Sequence, residues 1–186
     1  PVTMKLVSQK KLSLDQNIQQ FYPQFTYGHK ESVTIRHLLT HSSGLQDYVP
    51  FYQDKNIKGK EDILSYILDS KLDYKPGSQS KYSDLGFILL SSIIEKVSGL
   101  PIDRLAQLWL FQPLGMKNTM YIPPPEFRRN IAPTELDTVY RYRLLQGEVH
   151  DENTQLMGGV SGHAGVFSTA EDIAIYAQML VDGGVW

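Results

Sequence analysis

The 186-residue chain contains no cysteine, which removes disulfides, thiolate nucleophiles and cysteine-ligated zinc. No apolar run reaches the roughly 18 residues that a membrane-spanning helix needs, so no membrane span is expected. Charge of one sign is also lacking. Eighteen Lys and Arg stand against 20 Asp and Glu, a formal net charge of −2, so nothing favours nucleic acid as a partner. There is no Gly-x-Ser-x-Gly elbow. The glycine-rich stretch Gly158-Gly159-Val160-Ser161-Gly162-His163-Ala164-Gly165 has no Gly-Lys-Ser/Thr, so it is not a phosphate-binding P-loop. Its glycines point instead to tight turns that bring His163 close to other backbone.

What is present is ordinary soluble composition, 41% hydrophobic and 20% charged, with strong helical patterning and little strand signal. A helical pattern opens the chain and is expected to close at Leu12-Ser13-Leu14-Asp15. Thr34 suits the N-cap of a short helix bearing Leu38 and Leu39, with Gly44 as a left-handed residue after it. Residues 45–60 read as a surface loop, and residues 61–70 as an amphipathic helix. The strongest helix spans 83–98, with Leu85, Ile88, Leu89, Ile93, Ile94 and Val97 on a broad apolar face, Ser83 or Asp84 as cap and Gly99 as stop. Another helix follows over 102–111. Residues 116–157 lack periodicity and read as a long irregular excursion with a short strand near 139–142. Ser168-Thr169-Ala170-Glu171 reads as a capping box that opens a last helix.

The sequence offers three candidate chemistries. Lys81-Tyr82-Ser83-Asp84 sits between a Pro-Gly turn and the strongest helix. By position alone Tyr82 is a packing residue and Asp84 a helix cap. A proton-transfer tyrosine would need a cation to lower a phenol pKa of roughly 10. Lys81 is next to it, but neighbouring side chains diverge. Ser-x-x-Lys, which can activate a serine when both lie on one helical face, occurs at Ser8–Lys11 and at Ser78–Lys81. The first lies among polar residues at a helix end and the second in a turn, so both read as chance. His150, Asp151 and His163 supply metal-ligand types at a spacing that matches neither a helical His-Glu-x-x-His nor an EF-hand loop, so no metal and no cofactor is expected.

An ordered set of segments carries a resemblance. It begins at Leu12-Ser13-Leu14-Asp15 and continues through Val33-Thr34-Ile35-Arg36-His37-Leu38-Leu39-Thr40-His41-Ser42-Ser43-Gly44-Leu45. Tyr82-Ser83-Asp84-Leu85-Gly86-Phe87, Ser98-Gly99-Leu100-Pro101 and Phe111-Gln112-Pro113-Leu114-Gly115-Met116 follow. The last is Gly165-Val166-Phe167-Ser168-Thr169-Ala170-Glu171-Asp172. The set resembles the serine β-lactamase-like superfamily of class C β-lactamases, D-Ala-D-Ala carboxypeptidases and esterases. Residues 132–135 and 147–153 are similar to a bacterial subgroup sometimes fused to family 3 glycoside hydrolases.

The resemblance implies an α+β parent, an antiparallel sheet flanked by helices plus a helical subdomain, of which this chain is mostly the helical part. Residues 1–186 are expected to be a partial domain truncated at both ends. The family's nucleophile motif Ser-x-x-Lys would precede Pro1, and its Lys/His-x-Gly motif would follow Trp186. Its Tyr-x-Asn motif falls on Tyr82-Ser83-Asp84, which makes Tyr82 the catalytic proton-transfer residue. Asp84, standing where the family has asparagine, and His163 at the active-site rim become substrate-binding residues. The implied activity is hydrolysis of an amide or ester in a small-molecule or peptide substrate through an acyl-enzyme, in a periplasmic or secreted parent, with the fragment inactive by itself. Two other classes stay open: a non-catalytic penicillin-binding-like interaction module, and a metal-dependent hydrolase using His150, Asp151 and His163.

Overall fold

A computed structural model describes residues 1–184. Its centre is α4 (Asp84–Ser98), and the sequence explains why. Leu85, Ile88, Leu89 and Ile93 recur at helical spacing, and each is at most 1% exposed. Burying one such side chain contributes about 1.5–3 kcal/mol. The helix is therefore held by its apolar faces rather than by propensity. α2 (Ile35–Leu39), α3 (Lys60–Asp69) and α5 (Ile102–Ala106) pack around it. α5 runs through a π-helical turn (Gln107–Phe111) into α6 (Gln112–Leu114), which Gly115 ends in the left-handed conformation. Glu95 stitches this end of the core. It pairs with Lys60 of α3 and accepts the backbone N–H of Ile102.

The N-terminal helix α1 (Val2–Ser8) stops four residues short of Leu12. Lys10 takes the left-handed conformation at φ 57°, and the Lys11 N–H turns back to the carbonyl of Leu6. A lysine does here what glycine usually does, so composition carried no stop signal. Residues 45–60 also differ from a plain surface loop, because Leu45 and Phe51 are buried and residues Phe51–Gln53 form a 3-10 turn.

The irregular excursion holds two short antiparallel ladders. β1 (Met120–Tyr121) pairs with β4 (Val166–Phe167), and β2 (Glu135–Asp137) pairs with β3 (Arg143–Leu145). The strand expected near 139–142 is instead the connection between β2 and β3. A short helix α7 (Glu152–Leu156) follows. The last helix α8 (Ala170–Val181) is capped by Thr169, one residue later than expected. Ser168 Oγ is engaged with Thr119 Oγ1, and the partner three residues past the cap is Asp172. Asp172 then accepts from Thr119 Oγ1 and the Asn118 N–H, tying α8 to β1. This is the helix-rich piece of an α+β fold with small antiparallel sheets.

Candidate active site

Tyr82 is not buried by packing. It is 63% exposed, and its ring lies on His41 at a centroid distance of 4.7 Å. His41 makes this possible by adopting φ 53°, which sets its ring between Tyr82 and Phe87. The turn after it needs Gly44, since a Cβ there would stand 2.3 Å from the Tyr74 carbonyl oxygen.

A row of hydrogen bonds then straps the motif to this turn. The N–H of Ser83 donates to His41 Nδ1 at 3.0 Å, the N–H of Lys81 donates to the His41 carbonyl, and that of Asp84 to the Asp47 carbonyl. Ser83 is the N-cap of α4. Its Oγ accepts the Gly86 N–H at 3.1 Å and donates to the Gln46 carbonyl at 2.6 Å. The expectation that Asp84 caps the helix is therefore corrected. Asp84 is the first helical residue, and its carboxylate is free to face the site.

Electrostatics sort the neighbours. Burial pushes the half-buried Asp84 carboxyl up, and this outweighs the opposing pull of His163 and Tyr82. Burial and then the Asp84 charge push the Tyr82 phenol up, so in this environment it holds its proton. Lys81 supplies no remedy, because its ammonium goes to Asp47 at 3.1 Å.

His163 lies beside Asp84, with its side chain 3% exposed. Its Nε2 meets Asp151 Oδ1 at 3.0 Å and its Nδ1 meets Ser161 Oγ at 2.8 Å. The glycine-rich loop explains the placement. A Cβ on Gly162 would lie 2.4 Å from the Phe87 carbonyl oxygen and 2.7 Å from Ser91 Cβ, so only glycine lets the loop lie on α4. Asp151 caps α7 by accepting the Thr154 N–H at 2.6 Å. Burial works against its ionised form, but the bonds from His163 and Thr154 prevail and hold it at about 2. His150 turns away to Glu135 at 2.9 Å. The set His150, Asp151 and His163 is thus not assembled; Asp84 takes the third place beside Asp151 and His163.

Neither Ser-x-x-Lys forms a one-turn pair. α1 ends at Ser8, whose hydroxyl donates to the Lys5 carbonyl. Ser78 Oγ donates to the Lys75 carbonyl in a turn. Sequence reasoning missed His41 as the platform for Tyr82 and Asp84 as the neighbour of the Asp151–His163 pair. Only the His41-Ser42-Ser43-Gly44 turn hinted at the first. A cavity of about 860 Å³ adjoins the site through Asp151, lined also by Phe127, His150 and Phe167, but not by Tyr82 or Asp84.

The sequence matches the Beta-lactamase family over residues 2–185. The chain belongs to that family. A protein from Escherichia coli strain K12, provisionally named a D-alanyl-D-alanine carboxypeptidase, is 38% identical over 205 residues, covering 97% of this chain and 47% of its own length. An N-acetylmuramyl-L-alanine amidase from Bacillus subtilis strain 168 is 34% identical, covering 97% of this chain and 46% of its own length. Among solved structures, the octameric penicillin-binding protein homologue from Pyrococcus abyssi superposes with a TM-score of 0.72 at 26% identity, covering 97% of this chain and 42% of that one. A provisionally named β-lactamase from Bacteroides dorei covers all of this chain and 47% of its own, with a TM-score of 0.71 at 23% identity, a likeness of fold. The chain spans about half the length of the curated relatives it matches.

Proposed function

We propose that this chain is the tyrosine-bearing half of a serine hydrolase that cleaves an amide or ester through an acyl-enzyme. The substrate class favoured by the relatives' names is a cell-wall peptide or muropeptide amide. A periplasmic or secreted setting is part of the proposal and rests on the family resemblance alone. The observation that carries the reading is the presentation of Tyr82. Its ring is pinned on His41 while its hydroxyl end stays open beside Asp84. Tyr82 shuttles the proton between nucleophile and leaving group once a cation from outside these 186 residues lowers its pKa. That Ser8 and Ser78 form no serine–lysine pair supports a nucleophile supplied from outside these residues, and with it a chain that alone does not turn over substrate.

Nitrocefin and p-nitrophenyl esters assayed with this chain and with a longer protein containing it test the reading. We expect turnover in the longer protein only. Tyr82→Phe there should lower kcat/KM by about 10²–10⁴-fold. Activity in the 186-residue chain that disappears in Ser8→Ala or Ser78→Ala would overturn the placement of the nucleophile. A second reading rests on Asp84. A carboxylate where the family has asparagine removes an amide donor, which suits a non-catalytic binding module. It predicts substrate binding by the longer protein without turnover.

A further inference from the structure

Three segments far apart in sequence deliver two carboxylates and an imidazole to one point. Asp84 comes from the first turn of α4, Asp151 from the cap of α7, and His163 from the glycine-rich loop. One carboxylate oxygen of each Asp and one ring nitrogen of His163 all lie within 4.8 Å of one another. We propose that Asp84, Asp151 and His163 form a binding site for one divalent transition-metal ion, with Zn²⁺ as the fitting occupant.

The donor set is the first reason. One imidazole and two carboxylates suit zinc and its borderline neighbours, whereas magnesium and calcium favour all-oxygen shells. The spacing is the second. Zinc–ligand bonds of about 2.0–2.2 Å place the ligand atoms of a tetrahedral ion about 3.3–3.6 Å apart. Asp151 already touches His163 at 3.0 Å, while a carboxylate oxygen of Asp84 lies within 4.8 Å of both. A shift on the order of an ångström in the Asp84 side chain would bring all three to bonding distance.

The third reason lies in what stands behind the ligands. The Nδ1 of His163 is engaged by Ser161 Oγ, which leaves Nε2 aimed at the two carboxylates. Metal-bound histidines are usually held in this way through the other ring nitrogen. The Asp151 carboxylate is held by the Thr154 N–H, and the Asp84 backbone is held by the Asp47 carbonyl. His163 is nearly inaccessible and Asp151 is 23% exposed, so this pair is kept largely from water. The lysine nearest in sequence, Lys81, is turned to Asp47 and does not offset the carboxylates. A dication would balance the charge and join α4, α7 and the loop. Three protein ligands would also leave a coordination position for water or a substrate oxygen.

The site lies wholly within this chain, so its test does not depend on hydrolysis. The 186-residue chain is stripped with chelator and titrated with ZnCl₂ in a calorimeter, and Co²⁺ is added in parallel to read ligand geometry in the visible spectrum. We expect one equivalent of Zn²⁺ and a Co²⁺ spectrum of four or five nitrogen and oxygen ligands. Asp84→Asn and His163→Gln should each weaken binding by at least about tenfold. His150→Ala and His29→Ala should leave it unchanged. Circular dichroism of the metal-free variants checks the fold. If His163→Gln does not fold, Asp84→Asn decides, since that residue is half-buried and does not cap its helix. No bound equivalent, or full-strength binding in Asp84→Asn, overturns the proposal. Loss of binding in His150→Ala or His29→Ala instead shows an adventitious surface histidine and overturns it equally.

Discussion

The helical body and the excursion after Gly115 are held by different forces. In the body, Leu6, Ile18, Phe25, Ile35, Leu85, Leu89 and Ile93 are fully buried, and few polar contacts reach them. In the excursion the organising pair is Asp137 with Arg141. The Asp137 carboxylate accepts the N–H groups of Val139, Tyr140 and Arg141 and the guanidinium of Arg141. The same guanidinium then donates to the carbonyls of Val149 and His150, which sets the approach to Asp151. Apolar area fixes where the helices lie, whereas directional hydrogen bonds fix where the chain between them places its functional side chains.

Substitutions in each region should separate these two roles. The largest effect is expected from Ile93→Ala. Removing a fully buried side chain at the centre of α4 should cost about 2–5 kcal/mol in urea denaturation, with amide exchange speeding up throughout the body. Next comes Gly162→Ala, at the seam of the two regions. Its Cβ would collide with the Phe87 carbonyl and Ser91, so the loop must lift from α4, at about 1–3 kcal/mol. It should also shift the His163 ring resonances in an NMR spectrum, which Ile93→Ala should do far less. Equal shifts in both variants would mean that the loop is not seated by its glycine.

The same contrast decides what the sequence could reveal. The span of α4 was legible because its apolar residues repeat every three or four positions, and the Tyr82 motif because its neighbours match a known order. Asp151 was grouped with both His150 and His163; in the fold the adjacent pair diverges, His150 to Glu135 and Asp151 to His163. The platform role of His41 depends on a left-handed backbone in a non-glycine residue, which composition does not announce. The excursion was illegible because side-chain-to-backbone bonds such as those of Asp137 leave no periodic trace.

Acid offers a milder perturbation, aimed at the excursion. The Asp137 carboxyl is held well below the usual carboxylate range, chiefly by the backbone N–H of Tyr140, then against the cost of burial by Arg141 and its neighbours. A carboxyl depressed in the folded state contributes stability above its unfolded pKa of about 3.9, which is lost as pH falls through the lower folded value. Amides of residues 138–141 should therefore exchange faster relative to α4 as pH drops below about 4. Asp137→Asn should produce that local loosening at pH 7 and remove the acid dependence. An unchanged profile in the variant would assign the acid response to another group.

The smallest effect is expected at Lys81, although it adjoins Tyr82. Its ammonium and the Asp47 carboxylate meet at 3.1 Å, but their side chains are 47% and 53% exposed. Exposed pairs of this kind contribute little, because water already solvates both charges and ordering two long side chains costs entropy. Lys81→Ala should leave the urea midpoint unchanged within error. It should also leave hydrolysis by the longer protein near its starting rate, since the backbone N–H of Lys81, not its side chain, holds the motif to His41. A loss of activity shared by Lys81→Ala and Ser78→Ala would make their spacing a working pair after all. The motif's position would then rest on a side chain at the surface, and the division between apolar scaffold and hydrogen-bonded site would fail where it matters most.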